Sequence, residues 1–141
     1  MLSGTFQNKI DEKGRIRMPP KFKEILKSGY YITKGDNNCL FVLAAEEFNA
    51  LLIKFKSNIN LMDSEAQKAQ RLFFSSSYQA EEDNQGRVRL EKDLLEYSKI
   101  IKDVTIIGAG DRVEIWSEEN WKKYNENVNY SAQLNNLSKL V

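Results

Sequence analysis

The sequence predicts an α+β fold in which two pseudo-symmetric repeats share one β-rich core, with helices on its outside. The first reason is a duplication, because residues 11–18 (DEKGRIRM) reappear 72 positions later as residues 83–90 (DNQGRVRL). The second reason is that the same order of predicted elements follows both copies. The third is size: in a chain of 141 residues each half is small for a core of its own, and an isolated hairpin is marginally stable in water.

Each copy of the duplicated segment is predicted to form a hairpin. In the first copy a strand over residues 5–10 enters a turn whose Asp11 and Gly14 occupy the first and fourth positions, as in a type I turn with a G1 bulge. Alternation along the return strand places Ile16 on one face and both Arg15 and Arg17 on the other. The second copy repeats this pattern around Asp83 and Gly86, which are the predicted turn-forming residues there.

Short helices and strands alternate after each hairpin. The helices are predicted over residues 20–26, 46–55, 63–76 and 92–99 and after the capping residue Ser117, and the strands over 30–33, 39–43, 104–107 and 112–116. In the first helix we expect Phe22, Ile25 and Leu26 to face inward. The repeats therefore span 1–62 and 77–128, joined by a connecting helix over 63–76 and followed by a tail over 129–141.

The predicted tail is rich in Asn and Ser, and we expect it to fray. Its apolar residues Leu134, Leu137 and Leu140 could instead dock on a neighbouring subunit.

Composition excludes most enzyme chemistry. The chain has no His and only one Cys, Cys39, so it can form neither a Ser-His-Asp nor a Cys-His site, nor a tetrahedral zinc shell of His and Cys ligands. It has no phosphate-binding loop and no dinucleotide fingerprint. We therefore expect no enzyme activity, no cofactor, no metal and no small-molecule substrate. Without a signal peptide or an apolar run long enough for a bilayer, the protein is expected to be cytoplasmic, with no membrane partner.

The two turns carry the candidate DNA-binding residues. Arg is the usual bidentate donor to guanine, and a two-stranded ribbon fits the major groove of DNA. At the tips, a Lys suits phosphate, whereas a Gln and the neighbouring Asn84 suit adenine edges. The predicted DNA-binding residues are Lys13, Arg15, Arg17, Gln85, Arg87 and Arg89, with double-stranded DNA as the partner.

Other interpretations remain open at this stage. The first copy is basic, with eight Lys/Arg against three Asp/Glu in residues 5–34, whereas residues 77–110 have five against seven. A solvated charged surface explains such a distribution as well as DNA binding does. Asp-x-x-Gly-Arg is also simply a good turn with a surface ion pair, and duplication can preserve both arginines by common descent. The alternative function is a self-assembling structural or adaptor module that does not contact DNA.

Four stretches together resemble the MraZ family, which belongs to the swapped-hairpin AbrB-like superfamily. They are DEKGRIRMPPKFKEIL at 11–26, RLFFSSSYQAE at 71–81, DNQGRVRL at 83–90 and IGAGDRVEIWSEENWKKY at 107–124. The family's D-x-x-x-R element is met twice, by Asp11 with Arg15 and by Asp83 with Arg87. The sequence departs from the family at Glu91 and Asp93, where Pro and a basic residue are frequent.

The resemblance implies a fold, an assembly and a function. The fold is one intertwined β-barrel with flanking helices, and the assembly is a homo-oligomeric ring. The function is that of a nucleoid-associated transcriptional regulator, which binds promoter repeats upstream of division and cell-wall genes.

Overall fold

Strands and helices alternate through residues 1–58 and 60–140, which are the residues that the computed structural model describes. The strands are β1 (Leu2–Lys9), β2 (Arg15–Arg17), β3 (Tyr31–Lys34), β4 (Leu40–Leu43), β5 (Tyr78–Gln79), β6 (Arg87–Arg89), β7 (Asp103–Gly110) and β8 (Val113–Ser117). The helices are α1 (Pro20–Leu26), α2 (Ala45–Asn58), α3 (Ser64–Ser75), α4 (Lys92–Ser98), α5 (Glu118–Asn125) and α6 (Tyr130–Ser138). The predicted mixed α+β class is confirmed. The predicted connection over 56–62 and the predicted tail include Ile59 and Val141, which lie outside the described residues.

The main sheet is antiparallel and pseudo-symmetric. Its strand order is β1-β7-β8-β4-β3-β5. The counterparts in the two repeats are β1 and β5, β7 and β3, and β8 and β4. Exchanging each strand for its counterpart gives the same order, counted from the opposite edge of the sheet. The register obeys the same rule, because Phe6 pairs with Ile106 in β1 and β7, and Tyr78 pairs with Ile32 in β5 and β3. The outer strand of each repeat therefore pairs with a strand of the other repeat.

A second, two-stranded sheet lies on the same pseudo-two-fold axis. In this ribbon β2 pairs with β6, and Ile16 lies opposite its own counterpart Val88. In the main sheet, the axis passes between two adjacent pairs of β4 and β8, Leu40 with Ile115 and Phe41 with Glu114. The two copies of the duplicated segment are thus brought side by side by strand pairing.

The predicted hairpins are wrong except at their tips. The turn bonds form, from Asp11 N to Arg15 O at 2.9 Å and from Asp83 N to Arg87 O at 2.9 Å. Beyond the tips the flanking strands separate, because β1 pairs along its length with β7 and β2 pairs with β6. In the second repeat one bridge, Glu82 to Val88, remains of the hairpin ladder. Pairing across the repeats buries the apolar faces of three-residue strands that a local hairpin would leave open to water.

Three smaller predictions are also wrong. Ile25, expected to face inward, is 38% exposed, and in α1 the buried residues are Phe22 and Leu26. The tail expected to fray contains α6, whose N-cap Asn129 accepts a hydrogen bond from Ala132 N. The strand predicted over 104–107 continues to Gly110, because Gly108 and Gly110 still pair with β1.

The core lies between the ribbon, the main sheet and the two equivalent helices α1 and α4. Its fully buried side chains include Ile16 and Val88 under the ribbon, Phe22 from α1 and Leu94 from α4. Both repeats contribute to one hydrophobic cluster. In the described part of the chain, strand pairing leaves β1 and β5 as the two edges of an open sheet. In that same part no helix has the length and apolar character needed to cross a bilayer.

Candidate nucleic-acid interface

Asp11 organises the first turn through three hydrogen bonds. Its Oδ1 atom accepts from the backbone N–H of Lys13 at 2.9 Å and of Arg15 at 2.8 Å, and its Oδ2 atom accepts from Arg15 Nε at 2.8 Å. Gly14 has φ of +78°, a left-handed conformation that glycine adopts without a Cβ clash. The backbone N–H of Arg15 is the main cause that lowers the pKa of the Asp11 carboxyl.

The second turn repeats this arrangement atom for atom. Asp83 Oδ1 accepts from Gln85 N and Arg87 N, each at 2.9 Å, and Asp83 Oδ2 accepts from Arg87 Nε at 2.9 Å. Gly86 has φ of +75°. The pKa of the Asp83 carboxyl is lowered, again mainly by the backbone N–H of the arginine four residues on. Short acceptor side chains with a glycine three positions later therefore determine both turns.

The four charged residues of the two turns also contact each other across the repeats. Arg15 Nη1 lies 3.6 Å from Asp83 Oδ2, and Arg87 Nη1 lies 3.8 Å from Asp11 Oδ2. We call Asp11, Arg15, Asp83 and Arg87 the quartet. The side chains of Asp11, Arg15, Asp83 and Arg87 are 28%, 26%, 32% and 27% exposed, so the ion pairs are partly shielded from water. Each arginine is held by the aspartates of both repeats.

Arg17 and Arg89 form the open part of the same surface. In the ribbon, Arg15 lies opposite Arg89 and Arg17 opposite Arg87, so all four arginines project from the face that is opposite to buried Ile16 and Val88. Arg17 and Arg89 are exposed. We call this surface the arginine face.

The backbone beneath the exposed arginines is held by different side chains in the two repeats. Asn8 Nδ2 donates to Arg17 O at 2.7 Å, and the Tyr78 hydroxyl donates to Arg89 O at 2.7 Å. The hydroxyl of Tyr78 also accepts from Glu91 N at 3.2 Å. Both ends of the arginine face are therefore attached to neighbouring strands.

A groove flanks each end of the arginine face. The Lys13 groove, about 580 Å³ in volume, lies between Glu12, Lys13 and Arg89 on one side and Glu91 and Lys92, at the start of α4, on the other. The Gln85 groove is about 460 Å³ in volume. It lies between the turn residues Asn84 and Gln85 and the residues Arg17, Pro20 and Lys23.

Each groove thus combines the turn of one repeat with the helix of the other. The basic first copy and the acidic second copy consequently do not form separate basic and acidic faces.

The structure brings all six sequence-predicted DNA-binding residues to this one surface. Sequence analysis missed Lys23 and Lys92, which line the grooves. Lys92 is the first residue of α4 and Lys23 lies in the last turn of α1, and each helix follows an arginine strand closely. That proximity is visible in the sequence, but the groove to which each lysine belongs depends on the pairing of β2 with β6.

One further cluster of polar groups lies away from the arginine face. Asp36, Cys39 and Glu114 have ligand atoms within 4.8 Å of one another. Burial raises the pKa of the Cys39 thiol to about 12, which keeps it protonated. Glu114 accepts from Arg112 Nε at 2.9 Å and from Trp116 Nε1 at 3.0 Å. A protonated thiol and an engaged carboxylate are poor metal ligands.

Comparison with known proteins gives one family. A family model described as "MraZ protein, putative antitoxin-like" matches residues 1–72 and again 73–139. A protein named transcriptional regulator MraZ from Alkaliphilus oremlandii is 38% identical over 142 residues, covering 99% of both chains. Proteins of the same name from Heliobacterium modesticaldum and a Thermoanaerobacter species are 45% and 41% identical, covering 89% and 94% of this chain and 87% and 92% of their own.

Proposed function

The chain belongs to the MraZ family of transcriptional regulators, and from that premise we propose that it binds double-stranded DNA through the arginine face. The single observation that carries the proposal is that strand pairing gathers four arginines on one side of a two-stranded ribbon, with apolar side chains beneath. The name of the family denotes regulation of transcription, which is not an enzyme class.

The geometry of the ribbon suits the major groove. A two-stranded β-ribbon fits there, and guanidinium groups pair with guanine O6 and N7. Arg17 and Arg89 have exposed side chains for such contacts, while the side chains of Arg15 and Arg87 are about one quarter exposed. Lys13 at one tip suits a phosphate, and Gln85 at the other suits an adenine edge.

The finer parts of the proposal concern targets, assembly and shape. We propose that the DNA sites are promoter repeats upstream of division and cell-wall genes, bound in the cytoplasm at the nucleoid. Self-assembly into a ring is supported by the exposed leucines of α6 and its end, Leu134, Leu137 and Leu140. Ring assembly would raise the effective concentration of the arginine face at neighbouring repeats. We also propose that the ribbon completes one intertwined barrel with the main sheet, which the shared core supports.

Selection of bound duplexes from a random pool tests the proposal. The wild type should enrich one sequence motif, and Arg17→Ala should relax preference at particular bases at a cost of about 1–3 kcal/mol. Lys13→Ala should weaken all sequences alike and flatten the salt dependence. Lys122→Ala in α5, which removes the same charge from another exposed site, is the control and should leave the motif unchanged. A pool that shows no enrichment would overturn the proposal.

A second candidate function is an adaptor module without DNA contacts. The apolar residues of α6 favour it, because Leu137 and Leu140 are 62% and 81% exposed. Assembly alone does not separate the two functions, since a DNA-binding protein can also oligomerise. An electrophoretic mobility-shift experiment at moderate salt separates the two functions, because an adaptor should not change the mobility of DNA repeats, whether AT-rich or GC-rich.

A further inference from the structure

We propose that Asp11 and Asp83 are positioning residues that couple the two repeats during DNA recognition, so that each aspartate orients the arginines of both turns. This inference rests on the proposed function and deepens it. It assigns to the two aspartates an effect on base preference that goes beyond forming their own turns.

The two oxygens of each carboxylate have different partners. Among the described residues, Oδ1 of Asp11 accepts from the backbone N–H groups of Lys13 and Arg15, whereas Oδ2 contacts the guanidinium groups of Arg15 and Arg87. Oδ1 therefore forms the turn and Oδ2 holds the arginines. The two functions can be separated chemically, because Asn keeps one carbonyl oxygen for the backbone and loses the charge.

Each Oδ2 atom contacts the guanidinium groups of both Arg15 and Arg87. Asp11 Oδ2 lies 2.8 Å from Arg15 Nε and 3.8 Å from Arg87 Nη1. Asp83 Oδ2 lies 2.9 Å from Arg87 Nε and 3.6 Å from Arg15 Nη1. A guanidinium held at its Nε edge and attracted at Nη1 has a fixed plane. A fixed plane is what bidentate pairing with a base requires.

The two aspartates also lower the net positive charge of the arginine face. The two aspartates neutralise two of the four arginines on a surface proposed to meet phosphates. Removing one carboxylate should therefore tighten binding to any DNA, because it adds one net positive charge near the backbone. Loss of the carboxylate should weaken specific binding through poorer orientation of the arginines, and it should strengthen nonspecific binding through the added positive charge. Measuring both affinities therefore separates the two effects.

The experiment compares Asp11→Asn with the wild type on a selected duplex and a scrambled duplex, at two salt concentrations. Asp11→Asn should reduce the ratio of specific to nonspecific affinity about tenfold, the scale of one bidentate pair. Affinity for the scrambled duplex should rise. Glu24→Gln is the matched control, because Glu24 is exposed on α1, lines neither groove and lies outside the quartet. This control should tighten binding to both duplexes and leave their ratio unchanged.

Selection from a random pool then tests the coupling between repeats. The base positions relaxed by Asp11→Asn should include those relaxed by Arg15→Ala and those relaxed by Arg87→Ala. Relaxation confined to the Arg15 positions would overturn the coupling, and an unchanged ratio would overturn the positioning role while leaving DNA binding intact. A wild type without any preferred sequence would instead overturn the proposed function itself, and the positioning role with it.

Folding is monitored by circular dichroism. Asp83→Asn is the pseudo-symmetric second variant if Asp11→Asn does not fold, and it should give the mirror result.

Discussion

The Gln85 groove and the Lys13 groove have equivalent backbones and different chemistry. In the Gln85 groove Lys23 Nζ lies 2.6 Å from a Glu82 carboxylate oxygen. At the offset of 72 residues that relates the two copies, Leu95 corresponds to Lys23 and Ile10 corresponds to Glu82. Ile10 belongs to the hydrophobic core and Leu95 packs against it. One groove thus uses a charged pair between the two repeats where the other uses apolar residues, while the quartet is the same at both turns.

A similar exchange occurs beneath the arginine face. Asn8 holds the carbonyl of Arg17, whereas Tyr78, which corresponds to Phe6 and not to Asn8, holds the carbonyl of Arg89. Phe6 instead packs edge-on against Phe22, with ring centroids 5.0 Å apart. The support of the ribbon has diverged, but its register and its arginines have not. Divergence of this kind is expected when the arginine face is the constrained part.

The largest effect should follow truncation at the centre of the ribbon, where the repeats meet. Ile16 and Val88 are each 1% exposed, and they lie opposite each other. Ile16→Ala should lower the free energy of unfolding by about 3 kcal/mol and Val88→Ala by about 2 kcal/mol, because both leave a cavity. Urea denaturation measures the change.

The same variants test whether the repeats unfold together. Trp116 and Trp121, the two tryptophans of the chain, both belong to the second repeat, so their fluorescence reports on that half. Ile16→Ala, a change in the first repeat, should move the fluorescence and circular dichroism transitions together, as in two-state unfolding. A fluorescence midpoint that stays at the wild-type position would show that the halves unfold separately.

A smaller effect should come from converting the charged pair to its apolar counterpart. Lys23→Leu leaves the Glu82 carboxylate, whose side chain is 18% exposed, without its partner, and should destabilise the protein by about 1–2 kcal/mol. Lys23→Leu combined with Glu82→Ile should recover that loss, because the double variant leaves no carboxylate without a partner and apolar residues can replace an ion pair without cost. Thermal denaturation of the four proteins in this double-mutant cycle gives the coupling. A double variant less stable than Lys23→Leu alone would contradict the equivalence of the two grooves.

Much of this arrangement was predictable from the sequence. The duplicated segment predicted both turns, and the spacing of Asp and Arg predicted the ion pair within each turn. Alternation of side chains predicted that Arg15 and Arg17 share a face. These features depend on residues within four positions of each other.

The cross-repeat features were not predictable from local patterns. Nothing near Arg15 in the sequence indicates that Arg89 lies opposite it or that Asp83 lies 3.6 Å away. A hairpin and a swapped pairing use the same alternation, and the choice between them depends on which pairing buries more apolar surface. The exposure of Ile25 was missed for a different reason. A helix of seven residues buries only one narrow apolar stripe, and in α1 that stripe consists of Phe22 and Leu26.

Stability in acid should depend equally on the two quartet aspartates. Backbone N–H donation lowers the pKa of Asp11 and of Asp83 below the ordinary value of 3.8, so the folded state binds protons less readily than the unfolded state. Their stabilising contribution is therefore complete above the unfolded-state pKa and is lost as pH falls through the lower folded-state pKa. The free energy of unfolding should therefore decrease as the pH falls below the ordinary carboxyl pKa of 3.8.

The acid response compares the two aspartates of the quartet. Asp11→Asn and Asp83→Asn should each reduce the loss of stability in acid, by similar amounts. Urea denaturation at a series of pH values measures this. Unequal reductions by the two aspartate variants would show that the quartet is not symmetric in energy.

The smallest effect should follow Cys39→Val. In this part of the repeats equivalent residues are 74 positions apart, as Ile32 and Ile106 are, so Val113 is the residue of the second repeat that corresponds to Cys39. Both residues are fully buried, and a substitution of similar volume in a core costs under about 1.5 kcal/mol. Because burial keeps the thiol protonated, with its pKa raised to about 12, Val should replace it as a small apolar group. Urea denaturation should therefore give a change of less than about 1 kcal/mol. A markedly larger loss would mean that the Cys39 sulfur takes part in polar contacts with Asp36 or Glu114, and that the two repeats differ in function at this position and not only in composition.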